Sequence, residues 1–258
     1  MLDKLNVYDM LGYLIPGGVL LLTGYLIGGL VLQGSVPAIN DVSSFSESLG
    51  GIIILFALSY PLGHLVQSFG EWWEDLGNRR RKARPSELLL LEGKLEAYSP
   101  NVQRLIKQRG CLAFGLAEFD EPSAIEGDFV EYVARLKELF SLAWNFIMQK
   151  DFGVKAETYL AISALSRGLM VTSCLGAMLA SLLVVKQILS SAWPRGFGPI
   201  HLQGFDENQL VVGVALLLIF LIAASVFGFH WNRFRLYFAR SVWDGFMAAS
   251  PLPERKKH

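Results

Sequence analysis

Apolar residues in this chain gather into long uncharged runs, and the lengths of those runs settle its class before any motif is read. The long runs are Leu11–Leu32, Gly50–Phe69, Gly168–Val185 (fraying to Leu189) and Gln209–Phe229, and none of the four contains Lys, Arg, Asp or Glu. Each is long enough to cross a hydrocarbon core about 30 Å thick as a helix. A bilayer offers backbone groups no hydrogen-bond partner, so each run is predicted as a helix rather than an isolated strand. The pattern therefore predicts an all-α, polytopic membrane protein with four transmembrane helices.

Between the second and third runs the pattern changes. Residues 70–167 carry 14 Lys/Arg and 15 Asp/Glu, rich in charge yet balanced, as expected of a folded domain in solvent. Their punctuation is helical. Ser99-Pro100, the apolar Val102, Leu105 and Ile106, then Arg109-Gly110 read as N-cap, first-turn proline, apolar face and terminal glycine. Pro122-Ser123 with Glu126 forms a capping-box pattern. From there Ile125, Phe129, Val133, Leu136, Phe140, Ala143/Trp144 and Ile147 recur every three or four residues, the stripe of one long helix. Pro85-Ser86 marks another helix start, and Lys155–Arg167 is expected to run unbroken into the third span. The domains expected are 1–69, a first transmembrane hairpin; 70–167, a cytoplasmic helical domain; 168–229, a second hairpin; and 230–258, an interfacial helix with a basic tail.

Net charge is zero over 258 residues with 52% hydrophobic content, so the molecule as a whole has no pull toward nucleic acid. The placement of charge sets the orientation. Gly34–Leu49 has no Lys or Arg, and Gln187–Asn208 has only Arg195. In contrast, Arg79, Arg80, Arg81, Lys82 and Arg84 crowd together after the second run, Arg233, Arg235 and Arg240 follow the fourth, and Arg255-Lys256-Lys257 close the sequence. The positive-inside rule then puts both termini and the insert in the cytoplasm of a bacterial inner membrane. The N-terminal run is expected to be a retained helix, being too long for a signal-peptide core.

The basic clusters serve as topology signals and as contacts for lipid phosphate, each Lys or Arg gaining on the order of 1 kcal/mol near an anionic leaflet. Arg79, Arg80, Arg81, Lys82, Arg84, Arg233 and Arg235 are the candidate contacts, with membrane lipid as the partner; direct binding of nucleic acid is not expected. Trp231, Phe234, Tyr237, Phe238 and Trp243, interleaved with arginines, suggest a helix lying at the head groups. Glu71-Trp72-Trp73-Glu74 reads the same way.

Within the runs, His64 is the candidate functional intramembrane residue, since ionisable groups there are costly. A packing role competes with that reading, because no other span offers an acidic partner. Gly24 and Gly28 have the small-xxx-small spacing that lets helices approach closely, within the chain or in a homo-oligomer. No P-loop, GxGxxG, HExxH or GxSxG motif occurs, and the histidines at 64, 201, 230 and 258 are scattered. Neither enzymatic activity nor a cofactor or metal is expected. Cys111 and Cys174 form no CxxC pair.

Three short motifs stand at the edges of the spans: Tyr8-Asp9 through Leu14-Ile15-Pro16-Gly17, Tyr60-Pro61-Leu62-Gly63-His64, and Ser163-Ala164-Leu165-Ser166-Arg167. Together they resemble a loose group of bacterial membrane proteins with a "YD…L.PG" first helix, a "GH" in the second and an "S.SR" before the third. Many of that group look like membrane components of anti-phage defence islands, the membrane subunit of the two-gene Kiwa system among them. The resemblance implies a membrane-embedded sensor or effector, oligomeric, that signals with a cytoplasmic protein partner in antiviral defence. An ion channel or small-solute transporter, with His64 on the path, is the competing expectation. Arg167 is expected to act as a coupling junction by reaching a phosphate or a carboxylate.

Overall fold

The computed structural model describes residues 7–33, 49–81, 83–91, 98–117, 119, 126–192 and 206–250, and the side chains of all these except 7, 31–33, 49, 50, 52, 77–81 and 126–128. Among the described residues every regular element is helical. These are α1 (Val7–Asp9), a π-helical turn (Met10–Leu14), α2 (Ile15–Gln33), α3 (Leu49–Arg81), α4 (Pro85–Leu88), α5 (Pro100–Phe114), α6 (Glu126–Gln149), α7 (Val154–Ala192) and α8 (Glu207–Ala249). Four helical segments are long and apolar enough to cross a membrane: Met10–Leu30, Ile53–Leu76, Val154–Ala192 and Glu207–Ala249. The chain is an all-α polytopic membrane protein, and its four spans are those expected from the uncharged runs. It divides into two compact units, Met1–Trp72 with Ala161–Trp231, and Trp73–Leu160 with Asn232–His258.

The first unit is the membrane bundle. Its exterior is apolar, with Ile53, Phe56, Phe69, Leu182, Leu218, Ile219 and Ile222 about half exposed or more, as suits a surface solvated by acyl chains. α2 and α3 meet backbone to backbone. A Cβ on Gly17 would collide with the carbonyl of Ser59, and one on Gly63 with the carbonyl of Tyr13. α7 and α8 pair at Gly176, where a Cβ would come within 2.7 Å of the Phe220 ring. At the start of α8, Asp206 Oδ1 accepts the backbone N–H of Asn208 at 2.9 Å, satisfying a donor that the first turn leaves free. Gln187, almost fully buried, ties this end of the hairpin by donating to Gln209 Oε1 at 2.6 Å and accepting from Asp206 N at 3.1 Å.

The second unit has a core of its own. Leu89, Leu90, Leu136, Leu139, Ala143, Ile147, Val242, Trp243 and Phe246 are all 0% exposed. The expected stripe of α6 supplies much of it, although Tyr132 and Leu139 belong to the buried face as well. Two expectations change here. Gly110 lies inside α5 against Leu139, and the left-handed terminating glycine is Gly115 (φ 66). The residues after the fourth span do not form a separate helix: α8 continues to Ala249. There Trp243 and Phe246 fill this core, while Phe238 packs on Phe140 and Trp144. Burial of aromatic area against protein outweighs a half-wet position. The unit joins Trp73–Leu160, within the expected insert, to Asn232–His258. Ser123 and the basic tail lie outside the described residues.

Polar contacts fix the end of α8 in that core. Trp243 Nε1 donates to the carbonyl of Ser86 at 3.2 Å, and Arg109 Nη1 donates to that of Met247 at 2.6 Å, at the carbonyl-rich helix terminus. The Tyr98 hydroxyl donates to Asp244 Oδ1 at 2.9 Å. Burial, then the hydrogen bond and negative charge of Asp244, push the Tyr98 hydroxyl well above its ordinary value of 10.0. At α4, Glu87 reaches back to the backbone N–H of Arg84 beside Pro85.

Two outcomes follow from this packing. Gly63→Val forces α2 and α3 apart and should cost about 1–3 kcal/mol, the range for overpacking, read as a lowered melting temperature in detergent; unchanged melting would contradict the close approach. For Tyr98, the folded state holds its proton more tightly than the unfolded chain. Its contribution is therefore intact below pH ~10 and shrinks as pH rises above that. The stability gap between wild type and Tyr98→Phe should narrow on going from neutral to strongly alkaline pH, and a gap independent of pH would show that the hydroxyl is not so held.

Candidate functional site

Proline in a helix removes one backbone donor, and the carbonyl it strands is four residues back. Pro16 in the first span strands Gly12. Just before it the helix widens into the π-helical turn, with the N–H of Ile15 bonded to the carbonyl of Met10. Such widening is common at functional sites. In hydrocarbon a bare carbonyl is costly, and Gln67 of α3, 2% exposed, removes that cost. Its Nε2 donates to the carbonyl of Gly12 at 2.6 Å and to that of Ala164 at 2.8 Å. One side-chain amide therefore joins three spans.

The other end of the amide is also used. Gln67 Oε1 accepts from Arg167 Nε at 2.7 Å, and Arg167 Nη2 reaches Glu71 Oε1 at 3.2 Å. Arg167 is buried and its partner Glu71 largely exposed, so the guanidinium spreads its charge over an amide oxygen and a carboxylate. Two glycines make room. A Cβ on Gly70 would fall 2.8 Å from Arg167 Cγ, and one on Gly168 would fall 2.5 Å from Pro16 Cγ. Thr172 closes the group by donating to the carbonyl of Pro16 at 3.4 Å.

His64 stands beside this junction. Its ring stacks on Tyr13 with centroids 4.0 Å apart and meets Tyr60 edge-on at 4.7 Å; Tyr13 in turn touches Tyr8 at 5.8 Å. The three motifs at the span edges thus converge: Tyr8, Pro16 and Gly17, Gly63 and His64, and Arg167 all belong to one cluster. Arg167 reaches a carboxylate, as expected of it, but Gln67 was missed. Its signal was a lone amide in an otherwise uncharged run, a residue type that binds across membrane helices.

The remaining candidates divide. Gly24 is exposed and Gly28 partly so, and a Cβ on either meets nothing within 4 Å; the tight approaches of the first span are at Gly17 instead. Arg235 is not a free phosphate contact, because it pairs with Glu74 at 2.6 Å with both side chains mostly buried. Arg233 stays exposed, bonded to the Tyr237 hydroxyl at 2.6 Å. Arg84 is half exposed, 4.0 Å from Asp75, a separation worth little in water. Arg79, Arg80 and Arg81 end α3, with side chains outside the description, and Lys82 lies outside the described residues. Trp72 and Trp73 are each 60% exposed, suited to an interfacial belt. Among the described residues no group of three or more His, Cys, Asp or Glu could hold a metal.

The fold and junction define a class, a four-span all-α membrane protein carrying a helical unit with its own core. Comparison with protein-family models, curated proteins and solved structures returned no match to this chain.

Removing the amide tests the junction. Gln67→Leu strands the Gly12 carbonyl and one Arg167 donor, and should cost about 1–3 kcal/mol for each buried group left bare. Arg167→Lys should not restore full stability, since an ammonium cannot present the same fork to Gln67 and Glu71. Thermal melting in detergent measures both, and a Gln67→Leu protein as stable as wild type would remove the junction from the account.

Proposed function

We propose that the protein is an oligomeric membrane scaffold of the sensor or effector kind, whose helical unit outside the spans receives a cytoplasmic protein partner. The observation that carries this reading is the division of labour between the two units. In the bundle, the polar side chains of Gln67, Arg167, Thr172 and Gln187 are spent on holding helices together. Outside the spans, a unit with a dry core displays Glu131, Lys137 and Glu138 on the exposed face of α6, where a partner can read charge. The basic residues after the second and fourth spans support a bacterial inner membrane with both termini and the second unit in the cytoplasm. The likeness at Pro16-Gly17, Gly63-His64 and Ser166-Arg167 supports a place in antiviral defence.

Two measurements test this. Cysteines introduced at 79–84 should be shielded from an impermeant periplasmic reagent and those at 36–46 labelled; the reverse pattern inverts the topology. A photo-crosslinker at Glu131 or Glu138 should capture a protein partner in cells, and Glu131→Lys with Glu138→Lys should abolish capture while membrane insertion persists. If instead no adduct forms and the purified protein conducts ions in planar bilayers, with His64→Ala abolishing the current, the channel reading replaces this one.

A further inference from the structure

The widened turn at Met10–Leu14 leaves the first span one helical bond short. The N–H of Ile15 goes to the carbonyl of Met10, five residues back, where an α-helix would send it to Leu11, four back. The next donor along would be that of residue 16, and Pro16 has none. Leu11 and Gly12 thus both stand outside the helix ladder, and Gln67 caps the second of them. A plain α-helical turn in the same sequence would strand Gly12 alone, since Ile15 would then serve Leu11.

What holds the turn open is its seat. Two positions of α3, one helical turn apart, take its middle residues: Gly63 lies against the Tyr13 carbonyl, and Gln67 grips that of Gly12. The grip is fixed from the far side, because Gln67 also donates to Ala164 and accepts from Arg167. Arg167 is in turn paired with Glu71. Along this series of contacts Gly12 and Gln67 are buried, and the Glu71 side chain is 64% exposed against 11% for Arg167. Glu71 is therefore the member that a group outside the bundle reaches directly.

We infer that the Met10–Leu14 turn is a two-register switch in the first span, held in its wide form by Gln67 and released from Glu71. A cationic group that takes the Glu71 carboxylate weakens the hold on Arg167, whose burial depends on matched charge. As the guanidinium withdraws, the Gln67 amide is free to turn, and the Gly12 carbonyl swings back into line. Ile15 then bonds to Leu11, and the helix recovers the bond it lacks. Going from an i→i+5 to an i→i+4 bond takes about one residue out of the turn, which is roughly 100° of an α-helix. Val7–Asp9 rotate by that amount together with Met10, and Tyr8 leaves its edge contact with Tyr13. Closely packed backbones pass between such discrete arrangements rather than deforming gradually. The switch acts within the bundle, independently of the partner and the oligomer proposed above.

The test uses the full-length protein with Cys111→Ala and Cys174→Ala in lipid nanodiscs. Met10→Cys is spin-labelled against Phe56→Cys on α3 or Ile222→Cys on α8, all three positions being exposed. The unaltered turn should give one distance to each reference. Pro16→Ala supplies the donor that Gly12 lacks, so the narrow register should replace the wide one and shift at least one distance by about 5 Å, half the width of a helix. Glu71→Gln, which keeps the shape of the side chain without its charge, should show both distances in one sample. The pair Phe56→Cys with Ile222→Cys should keep a single distance throughout, and a change there would trace the shift to the whole bundle and overturn the switch. An unshifted Pro16→Ala would overturn the second register and leave the turn a fixed feature of its seat. A shifted Pro16→Ala with an unshifted Glu71→Gln would overturn Glu71 as the release point. Should Pro16→Ala not fold, Glu71→Gln decides alone, and one unchanged distance in it would overturn the switch.

Discussion

The membrane bundle depends on a single stranded carbonyl. Pro16 takes away the donor that Gly12 would have used, and in hydrocarbon no water replaces it. Gln67 does, and in doing so must lie fully inside the bundle with both amide hydrogens committed. That position in turn leaves its oxygen facing α7, where Arg167 occupies it. The glycines at 17, 63, 70 and 168 follow from the same requirement. An amide is short, so the three helices can share it only if their backbones come nearer than ordinary side chains permit.

A buried guanidinium is tolerable only when its charge is matched, and Glu71 supplies that match to Arg167 while itself remaining largely exposed. Removing either partner of such a pair leaves an uncompensated charge, which is why buried ion pairs resist piecemeal change more than they add to net stability. His64, on the outer face, is held by ring contacts with Tyr13 and Tyr60.

The second unit has a small core of its own. Four segments distant in sequence, Leu89–Leu91, α5, α6 and the end of α8, each contribute an apolar face too narrow to be stable alone. Together they exclude water completely from Trp243, Phe246 and Leu136. The polar contacts at Tyr98, Arg109 and Trp243 all bind the end of α8, so this last helix is fixed by direction-specific bonds as well as by area.

How much of this was legible in the sequence depends on range. The four spans, the all-helical class, the stripe of α6 and the unbroken α7 are determined by local pattern, because the absence of charge over a run and the period of apolar residues act within one helix. The closeness of the motifs at Pro16-Gly17, Gly63-His64 and Ser166-Arg167 was not readable from spacing. The bond from Gln67 to Arg167 closes across 100 residues, and no local rule connects such positions. The same holds for Arg235 and the aromatic residues after it: arginines among aromatics are the pattern of an interfacial helix and equally that of a helix whose rings fill a core. Sequence by itself determined which segments are helices and which must be in lipid. Only the tertiary structure decided what each polar group faces, because a side chain's partner is set by which helices are brought side by side, and that is a property of the packed chain.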